Sequence, residues 1–186
     1  SLWQTPQVRN RRPEPTDEAR NVQWYLENTL FDVVGEVYSE LEATVHDEYP
    51  DVDVPKLFEF RSWAGSDRDG NPFVTPEVTT ETLERQRSVV LGKYRTALKR
   101  LSGVLSQDGS RIDAGSDFRA SLEADRERFP TVADETEKRY PDEPYRQKLK
   151  LMREKLDRVE DVRPDGYAGP TQLIDDLETI AASLRT

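Results

Sequence analysis

The sequence predicts a mainly α fold: long amphipathic helices with one short strand and a loop. Two observations carry this. Apolar residues recur at steps of three and four over most of the chain, the period of one helical face. A single run, Leu57 to Trp63, instead alternates with period two and is rich in aromatics, as strands are. No internal repeat or low-complexity linker interrupts the pattern.

Residues 1–15 read as an arm, in which Pro13 and Pro15 favour extended backbone next to Trp3 and the basic run Arg9, Arg11 and Arg12. A helix is expected over 16–49, capped by Thr16 or Asp17, with a stripe through Leu26, Leu30, Val37, Leu41 and Val45. A second row at Trp24, Phe31 and Tyr38 predicts that this helix buries two sides. Pro50 and Pro55 break it. Residues 56–76 then hold the strand and a loop dense in Gly, Asp, Asn and Pro, closed by Thr75-Pro76-Glu77, an N-cap, first-position Pro and first-turn acid.

From 77 to 186 the chain is expected to be helical. A long helix to about Leu105 carries Leu83, Val90, Leu91, Tyr94, Leu98 and Leu101 on its buried face, and Ser116 opens a shorter one to about Arg128. Thr131 to Tyr140 is highly charged and weakly periodic. Tyr145, Leu149, Met152, Leu156 and Val159 trace a helix after Pro144, and Leu173, Leu177, Ile180 and Leu184 trace the last, with Asp175, Asp176 and Glu178 toward its sides. The acidic rows read as solvated faces.

With 27 Lys and Arg against 37 Asp and Glu, the net charge of −10 argues against nucleic acid as a partner. The seven lysines (56, 93, 99, 138, 148, 150 and 155) are few beside the arginines, a bias that fits a GC-rich genome or, with the acid excess, a salt-rich cytoplasm. Zero Cys removes disulfides, thiolate nucleophiles and Cys-ligated metals, and fits an intracellular chain. No run approaches the roughly 18 apolar residues of a membrane span, so no membrane association is expected.

The chemistry-bearing segment is Gly65-Ser66-Asp67-Arg68-Asp69-Gly70-Asn71-Pro72. Arg68 offers a planar fork that can hold a carboxylate, phosphate or bicarbonate by paired charge-assisted hydrogen bonds, with Asp67 and Asp69 orienting it or merely capping the turn. Asp-Gly and Asn-Pro are also ordinary turn words, and pattern alone favours a structural loop. A calcium loop starting at Asp67 is excluded, because Pro72 falls where Gly is needed and Val78 where a bidentate Glu is needed. Trp63 is either a core aromatic or an apolar wall beside an anion site. His46, the only histidine, reads as a bystander.

The run Phe60-Arg61-Ser62-Trp63-Ala64-Gly65-Ser66-Asp67-Arg68-Asp69-Gly70-Asn71-Pro72, followed by Val74-Thr75-Pro76-Glu77, resembles the signature of the phosphoenolpyruvate carboxylases. Weaker echoes lie at Leu2-Trp3-Gln4-Thr5 and at Glu143-Pro144-Tyr145-Arg146 with Arg153. The resemblance covers essentially the whole chain and implies a single internal segment, 1–186, of a helix-rich (β/α)8-barrel enzyme. It implies a cytoplasmic homotetramer when intact, taking phosphoenolpyruvate and bicarbonate to oxaloacetate and phosphate. Mg²⁺ or Mn²⁺ would be held by ligands outside these residues, with the rest of the polypeptide as partner. Carried onto this sequence, it makes Arg68 the catalytic anion clamp and Trp63 with Arg68 the substrate-binding pair. Asp67, Asp69, Gly70 and Asn71 become supports of the loop. Ser66, Ala64 and Arg61 depart from the usual pattern. On this reading the 186 residues alone are inactive. The rival reading is a non-catalytic acidic helical interaction module.

Overall fold

A computed structural model of the protein describes residues 14–185, so the arm's Trp3, Arg9, Arg11 and Arg12 lie outside the described residues. The chain divides into two compact units, Ser1–Val90 and Leu91–Thr186.

The first unit opens with α1 (Pro15–Tyr25), whose N-cap is Glu14, two or three residues before the expected caps. Pro15 occupies the first helical position, where a missing N–H costs nothing, and the Glu14 amide donates to the Asp17 carboxylate (3.1 Å). A π-helical turn, Leu26–Leu30, links it to α2 (Phe31–Glu48), with the Phe31 amide reaching back to the Leu26 carbonyl. The helix ends where Tyr49-Pro50 predicts. After an irregular stretch, α3 (Pro76–Val104) begins as Thr75-Pro76 dictates.

Two expectations fail in this unit. The 16–49 helix does not bury two sides: Trp24, Phe31, Val33 and Val37 are exposed, and only Ala19 and Gln23 of α1 are buried. The amphipathic pattern is real, but α3 covers it only at the Gln23 end and the Leu57–Phe58 segment only at Tyr38. Nor does Leu57–Trp63 form a strand; no strand occurs among the described residues. The side-chain alternation survives locally, since Phe58 and Phe60 stack at 6.5 Å on one side of the backbone. A strand, however, is defined by a neighbour's ladder of hydrogen bonds. Here the Leu57 and Phe58 amides donate instead to the Tyr38 hydroxyl, at 2.5 and 3.2 Å.

The second unit continues α3 from Leu91 and adds α4 (Ser116–Arg128), α5 (Pro130–Arg139), α6 (Pro144–Asp157) and α7 (Pro170–Ser183). The weakly periodic Thr131 to Tyr140 is thus helical, started by Pro130 and closed by Lys138 and Arg139, which suit the negative C-terminal end. The core gathers Leu91 and Leu98 of α3, Phe118 and Leu122 of α4, Tyr145, Leu149, Met152 and Leu156 of α6, and Leu173 and Ile180 of α7. Each such side chain, removed from water, stabilises the unit by about 1.5–3 kcal/mol before conformational entropy is counted. Leu83 and Leu101, placed on the buried face of α3 by periodicity, are exposed.

Inside this core lie four charges. Lys148 is fully buried, with its Nζ 2.6 Å from Asp125 Oδ2, 2.6 Å from Asp176 Oδ1 and 2.7 Å from the Ser121 hydroxyl. Lys155 Nζ bridges the same carboxylates, at 2.5 Å from Asp125 and 2.9 Å from Asp176. Tyr167 donates its hydroxyl to Asp176 (2.7 Å). Asp125 and Asp176 are therefore not on solvated faces, as the acidic rows suggested, but are buried counter-ions that tie α4, α6 and α7 together. Burial alone would raise the Asp176 carboxyl, yet the bonds from Lys148 and Lys155 hold it below the usual carboxylate range.

The chain after α6 folds back closely, with Gly166 so near that a Cβ would lie 2.8 Å from the Arg158 carbonyl carbon. That return delivers Tyr167 to Asp176.

Candidate functional site

The loop from Ser62 to Val74 is a string of turns closed by its own atoms. The Trp63 carbonyl accepts from the amides of Ser66 (2.9 Å) and Asp67 (3.0 Å) and from the Ser66 hydroxyl (3.2 Å). Asp67 Oδ1 accepts from the Asp69 amide (3.0 Å), and Asn71 Oδ1 from the Phe73 amide (3.1 Å), so both side chains form the local two-residue turns for which such residues are favoured. The Asn71 amide closes onto the Arg68 carbonyl at 3.3 Å, and Gly70 between them sits at φ 72°, where a side chain is strained.

Arg68 is therefore presented outward from a turn whose backbone bonds are satisfied internally. Its guanidinium is exposed, and among the described residues it makes no carboxylate ion pair. Its charge is nonetheless felt at Glu77, on the first turn of α3. Hydrogen bonds from Thr75 and from the Glu77 amide hold that carboxyl below the usual range; desolvation opposes them, and the positive Arg68 adds a smaller pull in the same direction. Trp63 is 79% exposed, so among the described residues it is not a core aromatic. Asp67 and Asn71 bond the turn through their side chains, Asp69 through its amide, and Gly70 bends it at positive φ. His46 is exposed on the last turn of α2.

Two residues without any sequence signal complete the surroundings. Gly65, buried at φ 78°, lies directly on Thr82 of α3: a Cβ there would stand 2.3 Å from the Thr82 hydroxyl oxygen. The Thr82 carbonyl in turn accepts from the side-chain amide of buried Gln23 on α1 (3.1 Å). An exposed ion pair one residue away, Arg20 with Glu81 at 3.1 Å, joins the same two helices.

Among the described residues no three His, Cys, Asp or Glu side chains converge on a point where a metal ion could sit. Nor is any helix among them long and apolar enough to cross a membrane.

The described residues are a helical part with a self-bonded loop that presents Arg68. Comparison with known proteins gives that part its family. The sequence profile of phosphoenolpyruvate carboxylase matches residues 1–186. The chain is 38% identical over 200 aligned residues to the phosphoenolpyruvate carboxylase of Roseiflexus castenholzii, covering 99% of this chain and 21% of that protein. It is 35% identical to that of Xanthomonas euvesicatoria pv. vesicatoria (98% of this chain, 20% of the relative) and 37% identical to that of Prochlorococcus marinus strain MIT 9312 (83% and 16%). No solved structure matches.

The chain belongs to the phosphoenolpyruvate carboxylase family, whose enzymes are carbon–carbon lyases. It spans about a fifth of the length of the curated relatives it matches. That membership does not favour the rival reading as a free-standing interaction module.

Proposed function

We propose that these residues form one wall of the active site of a phosphoenolpyruvate carboxylase, which adds bicarbonate to phosphoenolpyruvate to give oxaloacetate and phosphate through carboxyphosphate and an enolate. The observation that carries the reading is the outward-facing Arg68, held on a turn that spends its hydrogen bonds internally and leaves the guanidinium without a carboxylate partner among the described residues. A forked cation of this kind binds bicarbonate through two parallel N–H donors and fixes its orientation for reaction. Trp63 supplies an apolar wall, which excludes water and strengthens the interaction.

The remaining polypeptide supplies what these residues lack. Among the described residues no three carboxylates or histidines gather to hold a metal, and Mg²⁺ or Mn²⁺ would be held by side chains elsewhere in the polypeptide. Exposed Leu57, Phe58, Phe60 and Trp63 fit a segment that pairs as a strand of a (β/α)8 barrel once its neighbours are present. A cytoplasmic homotetramer is the assembly this reading carries.

Arg68→Lys in the full-length enzyme tests it. Lys keeps the charge and loses the paired donors, which costs ~1.5–3 kcal/mol of transition-state binding, roughly ten- to a hundredfold in rate constant. The KM for bicarbonate should rise more than that for phosphoenolpyruvate, at an unchanged melting temperature, because Arg68 is exposed. Wild-type kinetics would return the loop to a structural turn.

A further inference from the structure

Three elements of the first unit meet at Thr82. From one side Gly65, two residues after Trp63 and three before Arg68, lies against its side chain so closely that a Cβ would stand 2.3 Å from Oγ1 and 3.1 Å from both Cβ and Cγ2. From another, Gln23 of α1 donates to its carbonyl at 3.1 Å. Its hydroxyl is not free to turn away, since it donates to the Val78 carbonyl at 2.8 Å. Gly65, Thr82 and Gln23 are all buried, in a unit where few residues are. Arg68 and Trp63 stand just beyond this contact, and both are exposed.

We infer that Thr82, steadied by Gln23, is the seat that sets the position of the Arg68 turn, and that Thr82 and Gln23 are positioning residues for bicarbonate. The inference rests on the bicarbonate reading of Arg68. The seat works through exclusion. Position 65 can hold only a residue without a side chain, for two separable reasons: its positive φ and the Thr82 side chain. Gly70 separates them, for it shares the backbone feature at φ 72° yet would meet nothing within 4 Å. Any side chain at 65 must lift the turn away from α3, and with it the guanidinium three residues on. Displacement of a reacting group by about 1 Å costs on the order of a hundredfold in rate. Gln23 adds a finer adjustment. Its Oε1 is buried without a hydrogen-bond partner among the described residues, so the bond to Thr82 is the polar contact that holds this side chain in place.

The test is a set of variants of the full-length enzyme, followed by kcat and by the KM for each substrate. Gly65→Ala should lose about a hundredfold in kcat/KM for bicarbonate, with a smaller change in the KM for phosphoenolpyruvate. Adding Thr82→Ala removes the hydroxyl and methyl under the new Cβ and should recover about tenfold or more of that loss, a coupling expected only of touching residues. Gly70→Ala, which carries the strain without the clash, should gain nothing from Thr82→Ala. Gln23→Met keeps the volume and loses the donor, and should raise the bicarbonate KM at an unchanged melting temperature. If Gly65→Ala does not fold, Gln23→Met and Thr82→Ala decide alone, and unaltered bicarbonate KM values in both would overturn the seat. It is equally overturned if Gly65→Ala has wild-type kinetics, if Thr82→Ala gives no relief, or if it relieves Gly70→Ala as well. Arg68→Lys, measured alongside, separates the two readings: an impaired Arg68→Lys with an unimpaired Gly65→Ala removes the seat and keeps the bicarbonate assignment. A wild-type Arg68→Lys removes that assignment and the seat's purpose with it.

Discussion

Replacing Asp125 by Ala takes one negative charge from a buried set of two carboxylates and two ammonium groups. In the native core the set is neutral. Lys148 Nζ has Asp125 and Asp176 at 2.6 Å each, and Lys155 Nζ has the same pair at 2.5 and 2.9 Å. After the change two buried cations share Asp176, and Lys148, with no exposed surface, cannot reach water. Breaking one partner of a buried pair costs about 3–5 kcal/mol, mostly because the charge left behind is uncompensated. A domain stability of about 5–15 kcal/mol leaves little beyond that. With an m-value of about 1–3 kcal/mol per molar urea, the midpoint should fall by on the order of 2 M. The decisive comparison is Asp125→Ala with Lys148→Met, in which Met fills the lysine's volume and the Lys155–Asp176 pair remains neutral. Equilibrium urea unfolding of both variants is the assay, and the double variant should be more stable than Asp125→Ala. If Asp125→Ala costs under ~1 kcal/mol, or the double variant is worse, the four charges do not act as a balanced unit.

Tyr167 and Asp176 give the same cluster a pH signature. Burial and the Asp176 charge push the Tyr167 hydroxyl well above its ordinary value. The folded form then keeps a proton that the unfolded chain releases, and stability should fall as pH rises past about 10. Asp176, held below its ordinary range, contributes stability above about pH 4 that is lost as pH drops further, so urea midpoints across pH 3 to 11 should decline at both ends. Gly166→Ala should lower the urea midpoint by the equivalent of about 1–3 kcal/mol, because its Cβ would press on the rigid Arg158 backbone. Self-repulsion at −10 should make the melting temperature rise with KCl; a value that stays the same from dilute buffer to molar salt counts against the salt-rich origin.

Where neighbours along the chain decide structure, the sequence was informative. The stripe Tyr145, Leu149, Met152, Leu156 and the Pro144 start describe α6, and Leu173 and Ile180 describe α7, because helix hydrogen bonds and caps are local. Leu57 to Trp63 reads as a strand and forms none for the converse reason: a strand's bonds come from residues the pattern does not mention. The ion cluster is legible in the helical period. Lys148 and Lys155 fall on the apolar stripe of α6, Asp125 on that of Phe118, Leu122 and Phe129, and Asp176 on that of Leu173 and Ile180. Two cations and two anions on inward faces predict one another. At the site, the Gly, Asp and Asn turn words gave the loop's shape. Thr82 and Gln23 could not be found, since nothing in a Thr or Gln announces which backbone rests on it.

The π-helical turn at Leu26–Leu30 is, in mechanical terms, a shim one residue thick. A regular helix turns the chain by about 100° per residue, and the wider π turn spends one extra residue on nearly the same rotation, so α2 keeps its facing relative to α1 despite the insertion. Tyr38, whose hydroxyl receives the Leu57 and Phe58 amides, owes its place to that absorption. Wound instead as ordinary α-helix, the same residue would swing all of α2 by about 100° and carry the tyrosine away from the approach to the loop.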